Sequence, residues 1–149
     1  MTPDEMKAAV GRETLSDWIP VTQQMIQMFA DATGDHQFIH LDPERAKTTR
    51  FGTTVAHGFL TLSLLPLIWA NDREAARLEP FELSVNYGLN RVRFLAPVPS
   101  GARVRGRSKI IEFAEKRPGQ YQYTAETVIE IEGEEKPAMI AEWITQIFV

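Results

Sequence analysis

The sequence predicts an α+β protein in which an antiparallel sheet wraps around one central apolar helix. Three observations carry that prediction. Residues 57–70 are apolar almost all round, as in a helix that must be covered on most sides. After Pro80 the pattern changes to period two, the spacing of strands with one buried face. The turns between those strands are short, which makes the neighbours antiparallel.

Each element can be justified in order. Residues 21–32 have helical periodicity, with Met25, Met28, Phe29 and Ala32 on one face. Gly34 stands where a left-handed residue would end that helix. Residues 35–41 then read as loop. Asp42, Pro43 and Glu44 read as an N-cap, a proline at the first helical position and an acidic first turn, opening a short helix. Pro66 lies inside the central helix and predicts a bend or an irregular turn there, because it removes one backbone donor. Strands are expected at 82–87, 91–94, 102–113, 121–132 and 138–148, with Gly88 a bulge joining the first two. Turns fall at 97–101, 115–119 and 133–137. No repeat or linker divides the sequence, so residues 1–149 are expected to form a single domain with its own core.

Composition narrows the function classes. The net charge of −4 gives nucleic acid no global electrostatic support. The absence of cysteine excludes a disulfide framework, thiolate metal sites and a cysteine nucleophile, and fits a cytoplasmic protein. The run 59–70 is far short of the roughly 20 residues a membrane-spanning helix needs, and the N-terminus reads as no secretory signal, so no membrane partner is expected. Arg103, Arg105, Arg107 and Lys109 share one strand face. In a hairpin turning near Lys116, Arg107 would face about Glu126 and Arg103 about Glu130. The stripe is therefore read as a solvated face of cross-strand ion pairs and not as a phosphate site.

The residues able to carry chemistry cluster upstream of the central helix. Asp35 and His40 would lie about 140° apart on an ideal helix, but in a loop they can converge on one water. A carboxylate and an imidazole together can hold water, take its proton and return one elsewhere. The competing reading has Asp35 capping backbone and His40 bonded within the loop. His57 and Gly58 stand where the central helix begins, among unpaired N–H groups, and suit an oxygen that gains negative charge. His36 and His40 have a zinc-like spacing, but in a loop that spacing carries little weight, and no metal is expected.

Taken together, these residues resemble the MaoC-like dehydratase and (R)-specific enoyl-CoA hydratase family, in particular its branch close to nodulation protein N. The resemblance runs over Phe29-Ala30, Thr33-Gly34-Asp35, His40-Leu41-Asp42-Pro43, Val55-Ala56-His57-Gly58-Phe59-Leu60 and Asn86-Tyr87-Gly88-Leu89-Asn90-Arg91. It covers roughly residues 21–108. It implies a hot-dog fold, a homodimer, and reversible hydration of a trans-2-enoyl-CoA (or acyl-carrier) thioester to a (R)-3-hydroxyacyl thioester. By motif position Asp35 and His40 would be the catalytic pair and the Gly58 N–H would bind the thioester carbonyl, with His57 beside it. Asn86 is read either as lining the site or as a polar side chain on an ordinary strand. Asp35 is expected as base, with His40 orienting the water and delivering a proton to the α-carbon; the reversed assignment stays open, because a coupled pair does not reveal its proton order from sequence. No cofactor is implied. Gln37-Phe38 stands where much of the family has Asn-Pro, and Pro66 stands where known hydratases have a small polar residue. Both bear on the acyl pocket more than on the reaction. The rival readings are an acyl-CoA thioesterase on the same fold, a non-catalytic acyl-CoA binding module, and a purely structural dimer subunit.

Overall fold

The computed structural model describes Met1–Val149. Helix α1 (Pro3–Ala8) opens behind a capping box in which Thr2 and Glu5 satisfy each other's backbone N–H groups. Two short strands follow, β1 (Glu13–Leu15) and β2 (Ile19–Pro20). Helix α2 (Gln23–Thr33) starts at Thr22, whose hydroxyl accepts from the Met25 N–H, and ends at Gly34 with φ +81°. That left-handed backbone suits glycine and turns the chain sharply into Asp35. The buried stripe of α2 is Ile26 and Ala30, with Met25 and Phe29 packed against the core. The expected face was rotated: Met28 is 63% exposed and Ala32 is exposed. Met28 is two positions from both Ile26 and Ala30, and so points about 200° away from each.

The expected loop 35–41 is only partly a loop, because Phe38–Leu41 forms the one-turn helix α3. Helix α4 (Pro43–Ala46) is capped as expected, with Asp42 accepting from the Arg45 N–H at 3.1 Å. The central apolar run is not one helix but two, α5 (Gly58–Ser63) and α6 (Leu65–Ala70), meeting at Leu64. The Leu64 N–H is shared between the Leu60 and Thr61 carbonyls, a tightened last turn. Pro66 falls in the first turn of α6, where its missing N–H is tolerated. The run is also less covered than expected: Leu60, Leu64, Leu65 and Ile68 are buried against the sheet, whereas Phe59 is 68% and Leu67 43% exposed.

The sheet comprises β1, β2, β3 (Leu83–Phe94), β4 (Arg103–Arg117), β5 (Gln120–Ile131) and β6 (Met139–Phe148). Its order is β1-β4-β5-β6-β3, with β2 also paired to β4, and every pairing is antiparallel. A register shift between Asn86 and Gly88 joins the two expected strands into one, β3. The helices pack on the sheet where Gly106 of β4 leaves room. A Cβ there would lie 2.3 Å from the Ile68 side chain, so α6 can approach only because that side chain is absent. The main core joins Ile26, Leu60, Leu64, Ile68, Val104, Ile129 and Met139. On the opposite charged face the cross-strand pairs form, but two residues out of the expected register. Arg105 faces Glu130 and Lys109 faces Glu126, because the turn lies later than expected, at Pro118-Gly119, and two bulges, at Ile110/Glu112 and Glu115/Arg117, take back half of the resulting shift.

Candidate active site

Three elements converge on the first turn of α5. Gly34 turns the chain so that Asp35 follows α2, α3 carries His40, and the Val55–His57 segment leads into α5. One side-chain ligand atom from each of Asp35, His40 and His57 lies within 4.8 Å of the others. The His40 and His57 rings stack at 3.8 Å between centroids, 25° from parallel, and Phe29 packs against His57 at 4.9 Å.

The hydrogen bonds assign the tautomers. His40 Nδ1 lies 2.6 Å from the Val55 backbone oxygen. A carbonyl only accepts, so Nδ1 carries the proton and Nε2 of neutral His40 presents a lone pair. His40 is only 6% exposed. Burial lowers its pKa below the ordinary histidine value; the Val55 bond opposes this, the neighbouring His57 adds to it, and Asp35 opposes it more weakly. His57 Nε2 lies 2.9 Å from the Asp35 backbone oxygen and is likewise the protonated nitrogen. The Asp35 carboxylate is exposed and takes one local bond, from the Gln37 N–H at 3.3 Å.

Gly58 is the first residue of α5, and its N–H finds no acceptor within the chain. The Phe94 ring lies over it, 3.1 Å from where a Cβ would stand. His40 and Gly58 line one cavity of about 300 Å³, together with Phe51, Val55, Thr61, Phe94 and neighbouring apolar residues. The cavity walls are mostly apolar, with few polar groups, as in sites for small organic ligands. Asn86 lies elsewhere. It lines a second cavity of about 380 Å³ with Leu62, Pro66 and Trp143, and its side-chain oxygen accepts from the Trp143 indole N–H at 3.0 Å. His36 turns away from the cluster to Asp31, 2.9 Å off, so the His36–His40 spacing brings no two ligands together. Asp35, His40 and His57 are close enough to offer a cation three ligand atoms, but one nitrogen of each ring is already committed to a carbonyl.

Sequence reasoning did not find Val55, whose contribution is a backbone oxygen, or Phe94, which reaches Gly58 from a strand. Neither carries a residue-type signal. The aromatic partner of His57, Phe29, was visible as an apolar position on α2 and as part of the family resemblance, but not as a neighbour of the site.

This fold is that of the hot-dog hydratases and dehydratases. Residues 5–133 match the family described as MaoC like domain, and the chain belongs to that family. It is 48% identical over 143 residues to 3-hydroxyacyl-thioester dehydratase Z of Mycobacterium tuberculosis, covering 95% of this chain and 93% of the relative. It is 46% identical over 145 residues to Nodulation protein N of Rhizobium leguminosarum bv. viciae, covering 96% and 89%. Among solved structures, the (R)-hydratase from A. caviae involved in PHA biosynthesis superposes with a TM-score of 0.73 at 25% identity, over 91% of this chain and 94% of that one.

Proposed function

We propose that the protein interconverts trans-2-enoyl and (R)-3-hydroxyacyl thioesters by adding or removing water, as an enoyl-CoA hydratase. The observation that carries this reading is the His40 tautomer. With Nδ1–H on Val55, Nε2 of His40 is left as a lone pair; a His40 ring nitrogen lies within 4.8 Å of an Asp35 carboxylate oxygen, and His40 lines the cavity that Gly58 also lines. Two acceptors side by side can bind both hydrogens of one water and leave its oxygen lone pair free to attack.

Hydration then proceeds in balanced steps. The water oxygen bonds to the β-carbon while one water proton passes to the Asp35–His40 pair. The alkene electron pair moves toward the thioester carbonyl, whose oxygen gains negative charge at the Gly58 N–H. The pair returns one proton to the α-carbon. Because Nε2 of neutral His40 is a lone pair, His40 must gain a proton before it can give one. The expected division, Asp35 as base and His40 as donor, therefore becomes a shared proton between two coupled groups. The reading draws on no cofactor and no metal. The names of the 48% identical dehydratase and the structurally similar (R)-hydratase support the reaction class and the product hand.

The whole chain, residues 1–149, is read here as one hot-dog domain acting in the cytoplasm. No helix is long and apolar enough to cross a membrane. The working unit in this reading is a homodimer. Strand β3 has no partner on its outer edge and exposes Leu83, Val85, Tyr87 and Leu89, an edge that needs cover. Light scattering is expected to give twice the 16.9 kDa chain mass at micromolar concentration; a monomer contradicts the dimer.

The functional test is a spectrophotometric assay with crotonyl-CoA and longer enoyl-CoAs, followed at the enone absorbance, with the chirality of the product read afterwards. Loss of the enone with formation of the (R)-3-hydroxyacyl thioester is expected. Release of free thiol from saturated acyl-CoA, without loss of the enone from enoyl-CoA, would favour a thioesterase. Binding without turnover would favour a non-catalytic acyl-CoA binding module.

A further inference from the structure

His57 has its own geometry. It is 3% exposed, and its Nδ1 is buried with no hydrogen-bond partner. Its single N–H, on Nε2, is committed to the Asp35 backbone carbonyl at 2.9 Å. It therefore has no donor left for a substrate oxygen, which argues against an oxyanion role for the side chain. As pure packing it is a poor choice. A phenylalanine would fill the space between Phe29 and His40 without orphaning a buried nitrogen, which costs stability. What histidine adds over phenylalanine at this position is the bond to the Asp35 backbone carbonyl.

We infer that His57 is a positioning residue that fixes the catalytic pair relative to Gly58. The inference rests on the hydratase reading. Asp35 and His40 come from one segment, and the oxygen-binding N–H comes from another. His57 immediately precedes Gly58 and touches both members of the pair, one by a hydrogen bond to its backbone and the other by ring stacking at 3.8 Å. One side chain thus sets the distance from the water-holding groups to the carbonyl-binding group. His40 can turn about its own side-chain bonds only by losing either the Val55 bond or this stack.

Two variants separate the contributions. His57→Phe keeps a ring and loses the donor. His57→Gln loses the ring and keeps an N–H that can reach Asp35. With enoyl-CoA as substrate, His57→Phe is expected to lower kcat about 10- to 100-fold, as a displacement of reacting groups by up to an ångström does, with KM within about twofold. The acid limb of its kcat/KM pH profile should move, because the groups facing His40, namely His57, Asp35 and the Val55 carbonyl, would be rearranged. His57→Gln should recover part of kcat. On the unmutated protein, nitrogen NMR of the imidazoles should find His57 protonated at Nε2 and bare at Nδ1, a measurement that needs no variant to fold. An active wild type with an unchanged kcat and acid limb in His57→Phe, or a His57 protonated at Nδ1 instead, would overturn the positioning role alone. A wild type inactive on every enoyl-CoA would overturn the hydratase reading and this role with it.

Discussion

His36 and His40 are the same residue type one helical turn apart in sequence, and they occupy opposite environments. His36 is exposed and bonded to the Asp31 carboxylate at 2.9 Å, and that bond raises its pKa. His40 is buried on a carbonyl, and burial lowers its pKa. At neutral pH the first is a surface cation in waiting and the second a base with an open lone pair. The difference shows that spacing does not make a site. What makes one is an acceptor such as the Val55 carbonyl, which commits one nitrogen and aims the other.

The largest expected break in this comparison is loss of the catalytic pair. Asp35→Asn and His40→Gln should fold and lose about 10²–10⁴-fold in hydration rate, measured by steady-state kinetics. The double variant should lose little more than the worse single one, because both groups act on one water. His36→Gln should stay near wild type in the same assay.

A proton titration followed by NMR sharpens the contrast. The His40 ring signals should titrate below the ordinary value of about 6.5 and those of His36 above it. For His40 the folded state binds its proton more weakly than the unfolded chain. Its contribution to stability is therefore complete above about pH 6.5 and is lost as pH falls from there through the folded value. Denaturant melts on either side of that pH should show the wild type losing more stability on acidification than His40→Gln. Activity should fall on the same side, as Nε2 becomes occupied.

The smallest effect belongs to the charged face. Arg105 pairs with Glu130 at 2.8 Å and stacks on Trp18, part of a network that Arg107 and Glu13 share. Arg105→Gln should leave hydration unchanged and cost well under about 1 kcal/mol in a denaturant melt.

Much of this was legible because it rests on periodicity and capping. The period-two strands, the Gly34 stop and the Asp42-Pro43 start are local signals, and the structure has all three. Strands β1 and β2 were not read, since two or three residues carry no period. They exist because β4 offers a long edge to pair with. Helix α1 carried a readable Thr2–Glu5 capping box that went unread. The nearness of Asp35, His40 and His57 was suggested by motif order, but the tautomers were not, because backbone carbonyls from Val55 and Asp35 set them. Asn86 could be placed on a strand but not in a cavity, because that depends on how β3 packs beside α5 and α6.

The central claim is that water held by Asp35 and His40 adds at the β-carbon of an enoyl thioester. Turnover in water labelled with heavy oxygen tests this directly. The account predicts the label in the 3-hydroxyl of an intact thioester, with incorporation nearly abolished in Asp35→Asn. Label in a released carboxylate with free thiol, or undiminished 3-hydroxyl labelling by Asp35→Asn, would contradict it.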